Sequence, residues 1–141
     1  MSTPLVVDAS VAVKWFIPEI HSEAACRLLA TDYRLFAPEL ILAEVGNVLW
    51  KKWRRSELAE DEVHGIVKDL LRMPLGLVRM GAFLAHAETI AVRYQRSVYD
   101  SMYLALAMRR RIPFDTADQR LFQALQATEL AAGMIWVESI V

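Results

Sequence analysis

Four carboxylates carry the chemistry that can be read from this chain: Asp8, Glu44, Asp100 and Asp118. Each stands where an apolar run gives way to a helix, or on an apolar helix face. Asp8 closes the run Pro4 to Val7 and is followed at once by Ala9-Ser10, which predicts the carboxyl end of an interior strand. Glu44 is placed more sharply. Its i−4, i−3 and i+4 neighbours are Leu40, Ile41 and Val48, so a charged group falls on the helix face meant for the core. An unpaired carboxylate there is costly or takes up a proton, and a compensating cation resolves the conflict. Asp100 follows Ser97 by three residues at the start of a helix expected over Asp100 to Arg110. Asp118 falls in the first turn of a helix opened by Thr116. Acids gathered in one pocket repel until a hard dication with a preference for oxygen ligands enters, and the expected ion is Mg2+ or Mn2+.

Simpler roles exist for each acid taken alone. Ser97 with Asp100, and Thr116 with Gln119, fit a helix-capping pattern, and the helix dipole favours an acid in a first turn. Asp8 fits a strand-to-helix cap. Lys14 or an arginine could neutralise Glu44 as well as a metal could. The case for a site therefore rests on the four together.

The elements that must position them alternate in kind. Short apolar runs suited to strands are Leu5 to Asp8, Leu35 to Ala37, Gly76 to Arg79, Ile112 to Asp115 and Met134 to Glu138. Helical spacing covers Val11 to Phe16, Glu19 to Ala30, Pro38 to Arg54, Ala59 to Arg72, Phe83 to Arg96, Asp100 to Arg110 and Ala117 to Ala127. Short apolar strands separated by helices predict an α/β fold: a mostly parallel five-stranded sheet, covered on both faces by about seven helices. In such a sheet, strand carboxyl ends and the helix starts after them share one edge, where ligands bind.

Composition sets outer limits. A chain of 141 residues that is 55% hydrophobic suits one domain over 1–141 with a single core, and excludes disorder. Sixteen basic and 17 acidic side chains give a net charge of −1, so the overall field announces no nucleic-acid partner. Basic residues collect at predicted helix ends, at Lys51, Lys52, Arg54 and Arg55 and again at Arg109 to Arg111, where the helix dipole favours them. Cys26 is the only cysteine, which excludes an intrachain disulfide and a thiolate metal site. His21, His64 and His86 lack helical metal-site spacing. Asp8 and Lys14 interrupt the first apolar stretch, and no run approaches the roughly 20 apolar residues of a membrane span, so a cytoplasmic protein is expected. Trp15, Phe16, Trp50 and Trp53 are expected mostly in the core, with some free to line a groove.

The segments VVDASVAVKWFIPE, APELILAEVGNVLW, VYDSMYLALA and DTADQRL, in that order and spacing, resemble the successive motifs of PIN-domain ribonucleases. The likeness is strongest to the VapC-type toxins of prokaryotic toxin–antitoxin pairs, and runs nearly end to end. It implies a PIN-like three-layer α/β/α fold. It also implies a metal-dependent endoribonuclease that hydrolyses RNA with metal-activated water and is restrained by a cognate antitoxin. Asp8, Glu44, Asp100 and Asp118 match the family's four acids as catalytic groups and metal ligands. Ser10 and Thr116 match hydroxyl positions that support the site, and Asn47 matches an amide three residues beyond the helical glutamate. A homodimer is implied, with DNA contacted only through the antitoxin. Asp115 departs from the pattern, since the family usually carries an apolar strand residue there. It either faces solvent or adds charge at the pocket rim, on the strand face opposite to Thr116.

Two other classes remain for comparison. A binding module would keep the fold and the antitoxin contact without cutting RNA; the presence of all four acids weighs against it. A phosphotransfer enzyme is disfavoured, because Asp8-Ala9-Ser10 stands where a phosphatase needs Asp-x-Asp, and Arg79-Met80 where a receiver domain needs an aspartate.

Overall fold

A computed structural model describes residues 2–29 and 32–140. Five strands, β1 (Thr3–Val7), β2 (Tyr33–Pro38), β3 (Leu75–Val78), β4 (Phe114–Thr116) and β5 (Met134–Trp136), form one sheet in the order β3-β2-β1-β4-β5. Every neighbouring pair is parallel. Seven helices surround it: α1 (Ala9–Phe16), α2 (Ser22–Arg27), α3 (Leu40–Arg54), α4 (Glu60–Arg72), α5 (Leu84–Tyr94), α6 (Val98–Arg110) and α7 (Gln119–Leu125). The expected α/β architecture is the one found.

The sheet order decides where a site can form. From the central strand β1 the chain builds outward through β2 and β3, then returns to add β4 and β5 on the other side. Connections after β1 and β4 therefore diverge and leave a crevice at the strand carboxyl ends, which is the switch point where open α/β sheets take ligands. Asp8 directly follows β1 and Thr116 ends β4.

Burial follows the sequence pattern. Leu5, Val6 and Val7 are shielded on both sheet faces, as a central parallel strand requires. Seven consecutive residues of α6, Ser101 to Ala107, are buried, so this helix is enclosed around its whole circumference. Ile41, Val45 and Leu49 bring α3 onto the same core. No helix among the described residues is long and apolar enough to cross a membrane.

Several boundaries differ from the sequence reading, each for a local reason. The helix expected over Glu19 to Ala30 is confined to Ser22–Arg27, because His21 before it adopts a left-handed backbone (φ 68°); Ala30 lies outside the described residues. The strand expected to reach Glu138 stops at Trp136, since β4 offers partners only from Phe114 to Thr116. A short 3-10 turn, Val137–Ser139, takes over. Helix α6 begins two residues early, at Val98, because Ser97 is its cap. Helix α7 begins after Asp118, which caps it in place of Thr116. Gly76 has a packing reason: a Cβ there would lie 2.6 Å from Cδ1 of Phe36 on the neighbouring strand.

Candidate functional site

Asp8 is the most tightly held of the four acids. It is 6% exposed and caps α1, where Val11 N–H donates to its Oδ1 at 3.2 Å. Ser10 Oγ donates to the same oxygen at 2.5 Å, and Thr116 Oγ1 donates to Oδ2 at 2.6 Å. These hydroxyls are fixed in turn: Ala117 N–H donates to Ser10 Oγ and Asp118 N–H to Thr116 Oγ1, both at 3.0 Å. Two backbone amides thus set two hydroxyls, and the hydroxyls set one carboxylate. Burial pushes the Asp8 carboxyl up to about 6; the donors work against that rise, and the Asp118 charge adds to it.

Glu44 is half-buried on α3, at the margin of the core. Its partner is neither Lys14 nor an arginine but Tyr103 of α6, whose hydroxyl donates to Glu44 Oε1 at 2.5 Å. Burial raises the Glu44 carboxyl, Tyr103 opposes this, and the Asp100 charge adds to it. Lys14 is nearly buried and is committed to Glu19 at 3.0 Å.

Asp100 sits in the first turn of α6. Its amide N–H donates to Ser97 Oγ at 3.0 Å, so the capping role read from the sequence is present in the serine. The Asp100 carboxylate itself faces Arg96, with Nη2 3.6 Å from Oδ2. Its pKa is raised chiefly by burial, with Arg96 opposing and the Asp118 charge contributing. Asp118 caps α7, Oδ1 accepting from Leu121 N–H at 3.1 Å.

These charges connect in sequence. Glu44 lies within influence of Asp100, and both Asp100 and Asp8 lie within influence of Asp118. The four acids come from four separate elements: Asp8 and Asp118 cap α1 and α7, Asp100 lies in the first turn of α6, and Glu44 lies within α3. Among the described residues, no Lys, Arg or His lies within 4.0 Å of Asp8, Glu44 or Asp118. Nor do any three acidic, histidine or cysteine side chains among them close into a ready ion shell. The donor set nonetheless fits a hard dication: every available ligand is a carboxylate or hydroxyl oxygen. Asp8, Glu44 and Asp100 are the side chains whose oxygens such an ion would draw on, and the Tyr103 bond engages only Oε1 of Glu44. On the α3 side a cleft of about 400 Å³ runs past Ser10, Lys14, Glu44, Asn47 and Lys51. Asn47 is exposed on its wall.

Asp115 does neither of the things expected of it. It is fully buried, and among the described residues neither oxygen finds a hydrogen-bond partner. Its strand register sets it between Val7 and Ile135, and burial, with the Asp8 charge beside it, pushes its carboxyl up to about 8. An interior position in a three-residue strand explains why it cannot reach solvent. Tyr103 was not singled out from the sequence, although helical spacing marks it at i+3 from Asp100, as it marks the basic residue Arg96 at i−4.

Known proteins share this fold. The PIN domain family model matches residues 5–127. Ribonuclease VapC3 of Pyrobaculum aerophilum is 34% identical over 125 residues, spanning 87% of this chain and 95% of that protein. The crystal structure of PAE2754, also from Pyrobaculum aerophilum, superposes with a TM-score of 0.73 at 22% identity, over 97% of this chain and 85% of that one. VapC20 of Mycobacterium tuberculosis, described as a sarcin-ricin loop cleaving toxin, gives 0.63 at 17% identity, over 80% and 87%. A toxin–antitoxin complex from Klebsiella pneumoniae gives 0.62 at 13% identity, over 93% and 95%. With the family model covering most of its length and the fold in agreement, the chain belongs to the PIN-domain family.

Proposed function

We propose that the protein is a metal-dependent endoribonuclease, the toxin of a toxin–antitoxin pair. The carrying observation is the clamped carboxylate of Asp8, at the switch point, next in charge to Asp118 and through it to Asp100 and Glu44. Asp8, Glu44 and Asp100 would hold Mg2+ or Mn2+, with Asp118 as a fourth ligand. A dication held by these oxygens lowers the pKa of water and offsets charge that builds on a phosphoryl group. Ser10 and Thr116 keep the Asp8 oxygens aimed, and Tyr103 does the same for Glu44. Lys51 and Asn47 lie along the cleft wall, where a strand of RNA has a cation and an amide to meet.

Likeness to ribonuclease VapC3 supports RNA as the substrate, and the Klebsiella complex supports an antitoxin as partner. The same reading gives a homodimer in the cytoplasm, a single nuclease domain over 1–141, and DNA reached only through the antitoxin. Its test is cleavage of total RNA with Mg2+ or Mn2+, beside excess chelator and the Asp8→Asn variant. Metal-dependent cutting that Asp8→Asn abolishes is expected. Equal cutting by Asp8→Asn, or cutting that survives chelation, rejects the proposal. Tight antitoxin binding without cleavage of any RNA would instead leave a binding module on this fold.

A further inference from the structure

A second cavity opens along α7, the helix that Asp118 caps. Its volume is about 490 Å³, within the range of small-ligand sites. One wall is aromatic: Trp136 of β5 meets Phe122 at 5.6 Å between ring centroids, and His21 edge-on at 5.2 Å. The His21 ring is held by Glu138, Nδ1 to Oε2 at 2.7 Å, and its left-handed backbone turns the loop before α2 toward that wall. The other wall carries three primary amides, Gln119, Gln123 and Gln126. Their spacing puts them with Phe122 on one face of α7. Gln126 donates to Phe122 O at 3.2 Å, while no side-chain hydrogen bond among the described residues engages Gln119 or Gln123.

We propose that this cavity is a nucleobase subsite for the RNA strand whose phosphate lies over the acids, a proposal that rests on the ribonuclease reading above. Three observations favour a base. The rings present flat apolar surface, on which bases stack without regard to sequence. The free amides both donate and accept, which suits the hydrogen-bonding edge of an unpaired base. No Lys or Arg lines the cavity, so it lacks the cations that a phosphate subsite draws on. Position supplies the link, since Gln119 directly follows Asp118, and the helix that Asp118 caps is the one that forms the amide wall. An RNA strand crossing the acids meets this cavity with the next exposed nucleotide. Stacking admits any base; the amides choose among them.

The test compares wild type with the Gln119→Ala/Gln123→Ala double variant, both changes being at exposed positions. Cut ends in a randomised RNA pool are mapped, KM and kcat are measured, and binding of labelled single-stranded tetraribonucleotides is followed by anisotropy in chelator. Wild type is expected to prefer one base beside the cut. The double variant is expected to lose that preference and to raise KM about tenfold with kcat unchanged, while Phe122→Ala weakens all tetranucleotides by about tenfold. Unchanged base preference and KM in the double variant overturn the subsite. So does loss of a protein partner with base preference intact, which assigns the face to that partner. If wild type cuts no RNA, the ribonuclease reading fails, and anisotropy decides the subsite alone: a tenfold loss keeps it, equal binding removes it.

Discussion

The hydroxyl of Tyr103 on α6 donates to the Glu44 carboxylate on α3 at 2.5 Å, tying together the two helices that bring acids to the sheet edge. Burial and the Glu44 charge raise the Tyr103 hydroxyl far above its ordinary range, so it stays a protonated donor. Burial raises Glu44 as well, and the bond from Tyr103 opposes that rise. Tyr103→Phe is expected to lower stability by about 1 kcal/mol, read as a shift of the urea midpoint at constant slope. It is also expected to weaken dication affinity by about tenfold, because Glu44 loses the group that orients it. Wild-type affinity in the phenylalanine variant would remove Tyr103 from any positioning role.

Thr116 serves two neighbours at once, donating to Asp8 and accepting from Asp118 N–H. Valine fills the same space but leaves a buried carboxylate oxygen and a backbone amide without their partner. Thr116→Val is expected to cost about 2 kcal/mol, while Thr116→Ser keeps most of the stability and activity. Calorimetric melting of the two variants checks this; equal melting temperatures would contradict the bonding scheme.

The pH dependence of the metal-free protein follows chiefly from the two most strongly raised carboxyls. Asp8 moves from an ordinary 3.8 to about 6, and Asp115 to about 8, so the folded state holds protons that the unfolded chain releases. Stability is therefore fully present below pH ~4 as far as these groups are concerned, and it declines as pH rises through 6 and 8. Saturating Mg2+ or Mn2+ at pH 8 is expected to recover stability by mass action. Asp115→Asn is expected to flatten the upper part of the decline. Denaturant melts from pH 5 to 9 read all three effects, and a metal-free protein that grows steadily more stable over that range refutes the sign.

Gly76→Ala places a methyl carbon against the Phe36 ring, 2.6 Å from Cδ1. The ring must move between β2 and β3, at a cost of about 1–3 kcal/mol. Phe36→Leu in the alanine background is expected to recover part of the loss, a coupling that a double-mutant cycle measures.

Legibility of the sequence varied with the range of the interaction. Apolar runs such as Leu5-Val6-Val7 and the periodic face of Ile41, Val45 and Leu49 are local patterns, and they located the strands and helices to within a few residues. Helix ends were less readable, because the left-handed residue His21 and the caps Ser97 and Asp118 depend on backbone geometry. Asp8, Glu44, Asp100 and Asp118 were legible as candidates from residue type and context. The partners that hold them were not. Glu44 and Tyr103 are 59 residues apart, and Asp8 and Thr116 108 apart, so nothing in either neighbourhood announces the pairing. Asp115 was misjudged for a related reason: a charge in a strand suggests an outward face, whereas β4 is flanked on both sides and enclosed.

The Asp8–Thr116 bond joins the first strand to the last but one. During synthesis, the ribosome releases the amino-terminal acid more than a hundred residues before the threonine and Asp118 that complete its surroundings. A growing polypeptide thus carries its first acid without the threonine that holds it until β4 has been made.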